Sequence, residues 1–191
     1  RLQGDWSSDV CSSDLLAVLA GLERLGFESV QVAGRDPLRL ESLTAGCQSW
    51  LPQLETLAWN SGAAALPANA SSVRQPGRDE PEGRCGERET LAEALAGADL
   101  IVNTTPVGMA SASDPEAAGR CPLSGVQLER LQPRCTVYDL IYTPRPTALL
   151  KAAAERGCPT LDGLEMLVQQ GAAALALWSG ERAMPVRSEE H

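Results

Sequence analysis

Segments with the pattern of β-strands alternate with segments with the pattern of α-helices along most of this chain. The predicted strands are SVQVAG (29–34), LETLAW (54–59), DLIVN (99–103) and TVYDLI (136–141). The predicted helices are 15–26, Pro37–Ala45, 89–98, 128–132, 146–157 and 161–180. Strict alternation of this kind favours an α/β protein, with a doubly wound parallel sheet and helices on both of its faces.

The last predicted helix is the longest of them. Asp162 with Glu165 three residues later is typical of a capping box, and Gly180 is a suitable end signal. A stripe of residues at helical spacing is predicted to face the core. The stripe consists of Leu164, Val168, Gly171, Leu175 and Trp178.

Both ends of the chain look foreign to the domain between them. Residues 1–14 contain a near-tandem repeat with neither a helix nor a strand period, and residues 187–191 are equally abrupt. Both resemble peptides translated from adapter DNA, although genuine disordered tails are the alternative. We therefore predict one domain over residues 15–186, with residues 60–88, rich in Pro, Gly, Ser and charge, as a loop or insertion.

Composition excludes several classes of function. The net charge of −9 argues against nucleic acid or an anionic membrane as a partner. Six scattered cysteines without a C-x-x-C pair, and one histidine, favour reduced cytoplasmic thiols and no metal site. Of the 16 basic residues all but Lys151 are arginines. The chain is therefore short of general acids and bases for catalysis near neutral pH.

Arginines follow the first predicted strand. The strand ends on Gly34, Arg35 comes next, and Arg39 lies one helical turn further on. At this place in a dinucleotide-binding sheet, arginine accommodates the 2′-phosphate of NADP. Asp36 either opposes that prediction or caps the next helix. Ordinary surface arginines on a loop are the alternative interpretation.

Two further places carry polar groups that suit a ligand. Asn103, Thr104 and Thr105 end a buried strand, where they could hold ribose hydroxyls or a nicotinamide, or simply form an Asn/Thr turn. On the last helix, Met166 and Gln170 share a face that suits a nicotinamide ring and a polyhydroxylated substrate. The alternative is a core methionine and a solvated glutamine.

The motifs IVNTTPVGM, VYDLIYTPRPTALLKAAAERG and DGLEMLVQQGAAALALWSG resemble the C-terminal, NADP-binding domain of the shikimate dehydrogenase family. The resemblance runs from about Leu15 to Val186 and is poor over residues 46–90. It implies a Rossmann-like sheet, incomplete at its N-terminal edge, since the family's glycine-rich loop should directly precede residue 15.

The same resemblance implies roles for individual residues. Those near the cofactor would be Gly34, Arg35, Asp36, Arg39, Asn103, Thr104, Thr105, Met109, Leu140, Gly163 and Met166. Those near shikimate would be Tyr142 and Gln170. Gly34 and Asp36 depart from the family's usual Asn-Arg-Thr. The family's substrate domain, with its catalytic lysine and aspartate, has no counterpart in this sequence.

We therefore expect a fragment of a cytoplasmic, monomeric or homodimeric enzyme that reduces 3-dehydroshikimate to shikimate with NADP, and expect the fragment alone to be inactive. A quinate-type enzyme of the same fold and a non-catalytic NADP-binding module are the alternatives.

Overall fold

The strands form two parallel sheets in the computed structural model, which describes residues 6–59 and 91–180. The strands are β1 (Val30–Gly34), β2 (Leu54–Ala58), β3 (Leu100–Asn103), β4 (Thr136–Asp139) and β5 (Thr160–Leu161). The first sheet has the order β1-β2, and the second has the order β3-β4-β5. Every pairing is parallel, so the predicted parallel α/β class is confirmed. Strand β5 was not predicted, because two residues are too few to show a pattern.

A gap separates the two sheets. Read as β2-β1, then β3-β4-β5, the strand order is that of a doubly wound 3-2-1-4-5-6 sheet whose central strand is missing from the described residues. A cavity of about 800 Å³ lies there, bordered by β1 and β3. Within residues 6–59 and 91–180, the strand missing from the sheet thus belongs in the middle of the strand order rather than at an edge.

The helices lie close to where the sequence predicts them. They are α1 (Trp6–Arg24), α2 (Pro37–Cys47), α3 (Leu91–Gly97), α4 (Gly125–Leu128), α5 (Ala148–Glu155) and α6 (Leu164–Ser179). Helix α4 begins earlier than the predicted 128–132, because Ser124 and Gln127 form a capping box ahead of it. A short 3₁₀ turn, Pro115–Gly119, lies in the loop between β3 and α4.

Helix α1 is longer than predicted. It begins at Trp6 rather than at Leu15, because no glycine or proline stands between residues 6 and 20 to stop it. The sequence analysis predicted no helix in residues 1–14, and that prediction is wrong from Trp6 onward. Whether that peptide is foreign stays a prediction, and the predicted insertion 60–88 and tail 187–191 lie outside the described residues.

Each sheet has its own apolar core. Helices α1 and α2 pack on the first sheet through Leu19, Val30, Cys47, Leu51 and Leu54, all of them buried. The core of the second sheet consists of Leu95, Leu123, Leu131, Cys135, Val137, Leu149, Leu150, Ala153 and Cys158. Trp59, which follows β2 and donates to the Gly34 carbonyl, packs against the core of the second sheet.

Helix α6 differs most from its prediction. None of its residues is buried, and Leu175 and Trp178 of the predicted core stripe are 60% and 82% exposed. The prediction that this stripe faces the core is wrong, because no described element covers the C-terminal half of the helix. The predicted capping box is wrong as well: Gly163 is the N-cap, and the Glu165 carboxylate accepts from Gln169. The end at Gly180, in the left-handed conformation, is confirmed.

No helix among the described residues is long and apolar enough to span a lipid bilayer.

Candidate functional site

The carboxyl ends of β1 and β3 meet at a second cavity, of about 500 Å³, which we call the rim cavity. Parallel strands direct their carboxyl ends to the same edge, where loops are free to carry polar groups. Six of the predicted site residues border the rim cavity: Gly34, Arg35, Asp36, Arg39, Thr104 and Thr105. The structure thus brings the arginine loop and the threonine loop together.

The arginine loop after β1 is exposed and organised by Asp36. The Asp36 carboxylate accepts from the backbone N–H groups of Leu38 (3.0 Å) and Arg39 (3.3 Å), which makes it the N-cap of α2. It also lies 3.4 Å from the Arg39 guanidinium. Asp36 is therefore the helix cap that the sequence left open as an alternative. Arg35 has no ion-pair partner among the described residues.

Gly34 has a packing role in this loop. A Cβ placed on Gly34 would lie 2.9 Å from a methyl carbon of Leu40. The first turn of α2 thus packs tightly against the end of β1. A larger residue here would have to shift the end of the flexible Leu40 side chain.

The Asn103 amide is used within the protein. Its Nδ2 donates to Asp139 (3.0 Å), and its Oδ1 accepts from the backbone N–H and the hydroxyl of Thr105 (3.0 and 2.7 Å). The Thr105 hydroxyl in turn accepts from the N–H of Val107 (3.3 Å). These bonds form the local Asn/Thr turn that the sequence left open. Thr104, half-buried, borders both cavities.

A tight turn follows the threonines. The Met109 N–H donates to the Pro106 carbonyl (3.1 Å), and Gly108 has φ = +104°, which only glycine adopts easily. A Cβ on Gly108 would also lie 3.1 Å from the Arg120 carbonyl oxygen. Met109 is left 46% exposed at the tip of this turn. It does not border the rim cavity.

Asp139, a fully buried residue at the end of β4, connects three elements. Its carboxylate accepts from Asn103 at the end of β3, from the N–H of Ile141 (3.2 Å) and from the Thr147 hydroxyl (2.7 Å). Thr147 is also the N-cap of α5, accepting from the N–H of Leu150. Burial raises the pKa of Asp139, while the three hydrogen bonds oppose that shift.

The start of α6 approaches the end of β4 very closely. A Cβ on the buried Gly163 would lie only 1.9 Å from the carbonyl oxygen of Leu140, so no larger residue fits without backbone movement. The Gly163 N–H donates to the Ile141 carbonyl (3.3 Å). Asp162 reinforces the junction by accepting from Arg145 and from the N–H of Leu164.

The remaining predicted residues lie on or beside this junction. Met166 is half-buried on the first turn of α6, and Gln170 is exposed one turn later. Tyr142, in the loop after β4, is 44% exposed. Leu140, Tyr142, Gly163, Met166 and Gln170 do not border the rim cavity. The structure therefore brings six of the predicted residues together at the rim cavity, and Leu140 and Gly163 together at the junction.

Comparison with known proteins agrees with the family resemblance that the sequence motifs indicate. Residues 163–188 match the model of the Shikimate 5'-dehydrogenase C-terminal domain. A shikimate dehydrogenase (NADP(+)) of a Synechococcus species is 43% identical over 170 residues, which are 89% of this chain and 48% of that protein. The one from Trichormus variabilis is 35% identical over 187 residues, 95% of this chain and 54% of that protein.

Most of the chain is thus similar to shikimate dehydrogenases. It spans about half the length of the curated relatives that it matches. Among solved structures, quinate dehydrogenase from Corynebacterium glutamicum in complex with NAD superposes with a TM-score of 0.60 at 25% identity. That match covers 86% of this chain and 45% of the other.

For this shikimate dehydrogenase relative, the sequence did not predict the role of Asp139 or its partner Thr147. A signal was present, since an aspartate interrupts the apolar strand predicted at 136–141 and a threonine stands at the start of the helix predicted at 146–157. The described residues hold no cluster of three side chains that could bind a metal ion. Burial also raises the pKa of the Cys135 thiol, to about 11, so that thiol stays protonated at neutral pH.

Proposed function

We propose that this chain is the cofactor-binding part of an NADP-dependent shikimate dehydrogenase, whose intact parent reduces 3-dehydroshikimate to shikimate. When bound, the nicotinamide supplies the hydride for the ketone carbon. The residues of this chain bind and orient, and proton transfer falls to a lysine and an aspartate outside it. The names of the curated relatives support this proposal.

The observation that carries the proposal is the position of Arg35 on the rim cavity, opposite the threonine loop. An exposed guanidinium without an ion-pair partner in the described structure is suited to a phosphate, which it can bind through two parallel hydrogen bonds. Arg39 is a weaker candidate because it already lies 3.4 Å from Asp36. Arg35 is thus our proposed ligand of the 2′-phosphate, with Arg39 and the Gly34–Asp36 backbone beside it.

The threonine loop and the junction between β4 and α6 would lie on the nicotinamide side. We propose that Asn103 and Thr105 shape the loop, since their polar atoms bond to each other, while Thr104 and Met109 contact the cofactor. Leu140, Gly163 and Met166 would border the ring. Tyr142 and Gln170, both exposed, would contact the substrate.

One part of the cofactor does not fit the chain as it stands. In dinucleotide folds the pyrophosphate binds the backbone N–H groups at the start of the first helix. Here α1 already borders the rim cavity at Leu15, and it continues back to Trp6. The N–H groups near Leu15 are therefore bonded inside the helix. We expect this chain to bind NADPH only weakly until a G-x-G-G-A loop and its preceding strand replace residues 1–14.

We further propose that the parent is cytoplasmic, monomeric or homodimeric, and free of nucleic acid and membrane partners. The domain would cover residues 15–186. This chain alone would show no turnover, because Lys151 is an exposed residue on α5 and lies away from the rim cavity.

Titration of the repaired chain with NADPH and NADH, followed by fluorescence, tests the cofactor assignment. We expect NADPH to bind at least about tenfold more tightly, a difference of about 1.4 kcal/mol. Arg35→Ala should remove that preference. Arg130→Ala, which changes an exposed arginine away from the rim cavity, should keep it. Equal binding of the two cofactors would mean that the arginine loop is an ordinary turn.

Quinate is the second candidate substrate, favoured by the likeness to the Corynebacterium glutamicum quinate dehydrogenase. Fusing this chain to the substrate domain of a relative would not show whether the parent prefers quinate or shikimate, because that domain brings its own specificity. The upstream gene must be recovered and the intact parent assayed with both acids. A parent that oxidises neither would support a non-catalytic NADP-binding module.

A further inference from the structure

Asp139 is a buried acid that lies away from the rim cavity. It is fully buried at the end of β4 and borders neither that cavity nor the one between β1 and β3. Burying a carboxylate is costly unless hydrogen bonds compensate for the loss of water. The groups that donate to Asp139 therefore show which parts of the protein this carboxylate holds in place.

Asp139 and Thr105 together hold the Asn103 amide in one of its two orientations. The Asn103 Nδ2 lies 3.0 Å from Oδ1 of Asp139, and the Asn103 Oδ1 lies 3.0 Å from the backbone nitrogen of Thr105. An ionised carboxylate only accepts and a backbone N–H only donates, so both neighbours require the same orientation. A reversed amide would set acceptor against acceptor on one side and donor against donor on the other. Asp139 thus directs the Asn103 oxygen toward Thr105.

The Asn103 oxygen in turn fixes the path of the threonine loop. It accepts from the backbone N–H and the hydroxyl of Thr105, and that hydroxyl accepts from the N–H of Val107 (3.3 Å). Thr104, between Asn103 and Thr105, borders the rim cavity together with Arg35. The position of the loop at the proposed cofactor site therefore depends on a carboxylate that does not border that site.

The two oxygens of Asp139 have separate partners. Oδ1 accepts from Asn103 and from the N–H of Ile141, whereas Oδ2 accepts from the Thr147 hydroxyl at the start of α5. Removal of the Thr147 hydroxyl therefore leaves the bond between Asp139 and Asn103 in place. This separation allows an effect on the threonine loop to be distinguished from a general loss of stability.

We propose that Asp139 is a positioning residue of the cofactor site, a role that rests on the function proposed above. It acts through the Asn103 amide, which it turns toward Thr105, and so holds Thr104 where the cofactor contacts it. The threonine loop serves a part of the cofactor that NADPH and NADH share. Asp139 therefore affects the affinity for both cofactors alike, whereas Arg35 distinguishes one from the other.

Amide hydrogen exchange in the full chain tests the positioning without any cofactor. In Asp139→Ala the N–H groups of Thr105 and Val107 should exchange at least about tenfold faster, because the bonds that protect them depend on the Asn103 orientation. In Thr147→Val the same two groups should exchange at the wild-type rate. The N–H of Val137, which donates to the Pro159 carbonyl (2.8 Å), should exchange faster in both variants, because both lose stability. Faster exchange of Thr105 and Val107 in both variants, or in neither, would overturn the proposal.

Two further measurements do not depend on the folding of Asp139→Ala. Asp139→Asn keeps an oxygen that accepts from Asn103 and Ile141, while its Nδ2 faces the Thr147 hydroxyl, which can also accept. The N–H groups of the threonine loop should therefore exchange in this variant at nearly the wild-type rate. In the wild type, the Nδ2 protons of Asn103 should exchange at least about tenfold more slowly than those of a free amide. Exchange of these protons as fast as in a free amide would contradict the bond to Asp139.

Titration of the repaired chain with NADPH and NADH measures the effect on binding. Asp139→Ala should weaken the binding of both cofactors by the same factor, about tenfold, and Thr147→Val should weaken neither. Arg35→Ala should change the ratio of the two affinities instead. An Asp139→Ala protein that binds both cofactors as the wild type does would overturn the positioning role and leave the proposed function intact. A wild type that binds neither cofactor would overturn the proposed function, and the role of Asp139 in binding with it.

Discussion

The two sheets of this protein are held together by different means. The second sheet is crossed by buried polar bonds, in which the fully buried Asp139 joins the ends of β3 and β4 to the start of α5. The first sheet has an apolar core, but the hydrogen bonds of its rim loop are local, confined to Asp36 and the start of α2. Asp139 and Asn103 thus bond to partners on several elements, whereas the partners of Asp36 all lie at the start of α2.

The largest loss of stability should follow a substitution at Gly163, which lies at the start of α6 beside the second sheet. Gly163→Ala would place a Cβ 1.9 Å from the Leu140 carbonyl oxygen, a backbone atom that cannot move alone. We expect a loss of about 3 kcal/mol in the free energy of unfolding, measured with urea.

Gly171→Ala is the matched control on the same helix. Apart from neighbouring residues and the backbone of α6 itself, nothing lies within 4 Å of a Cβ at Gly171, so alanine should stabilise α6 by up to about 1 kcal/mol. Equal stability of Gly163→Ala and the wild type would show that the start of α6 does not pack on Leu140 as described.

Thr147→Val tests the polar connection itself. The valine keeps the shape of threonine but donates no bond to Asp139 and cannot cap α5. We expect a loss of about 2 kcal/mol in the free energy of unfolding, since a buried carboxylate loses a partner. Thr160→Val, at an exposed position of β5, should change stability by less than about 0.5 kcal/mol. Similar losses in both variants would contradict a special role for Thr147.

In the first sheet the corresponding change should cost less. Asp36→Ala removes the cap of α2 and an exposed ion pair with Arg39, for an expected loss of about 1 kcal/mol. Arg35→Ala, one residue earlier, should leave stability unchanged because this exposed side chain has no partner in the described part of the chain. A cost for Asp36→Ala as large as that for Thr147→Val would remove the contrast between the sheets.

The same contrast explains what the sequence could and could not predict. Short apolar runs located four strands, and their alternation with helical patterns predicted the parallel class, because local pattern follows burial. Local pattern could not show that α1 continues to Trp6, since serine and aspartate neither form nor stop a helix strongly. The core stripe predicted for α6 was wrong because an apolar stripe does not reveal what covers it. The Asp139–Thr147 bond joins residues whose contact depends on the turn between them, so no periodicity could indicate it.

The smallest expected effect is a slope in the dependence of stability on pH. Burial raises the pKa of Asp139 in the folded protein above its unfolded value of about 3.9, so the folded state binds the proton more tightly. Stability from this group is therefore fully present below that value and is lost as pH rises through the folded pKa.

Asp139→Asn cannot titrate, so the wild type should lose stability relative to the variant as pH rises from about 4 toward neutrality. Urea unfolding of both proteins across that range measures the difference. If the difference in free energy of unfolding stays constant with pH, the three hydrogen bonds to Asp139 balance the cost of burying its charge. If the difference grows in favour of the wild type as pH rises, the hydrogen bonds exceed that cost.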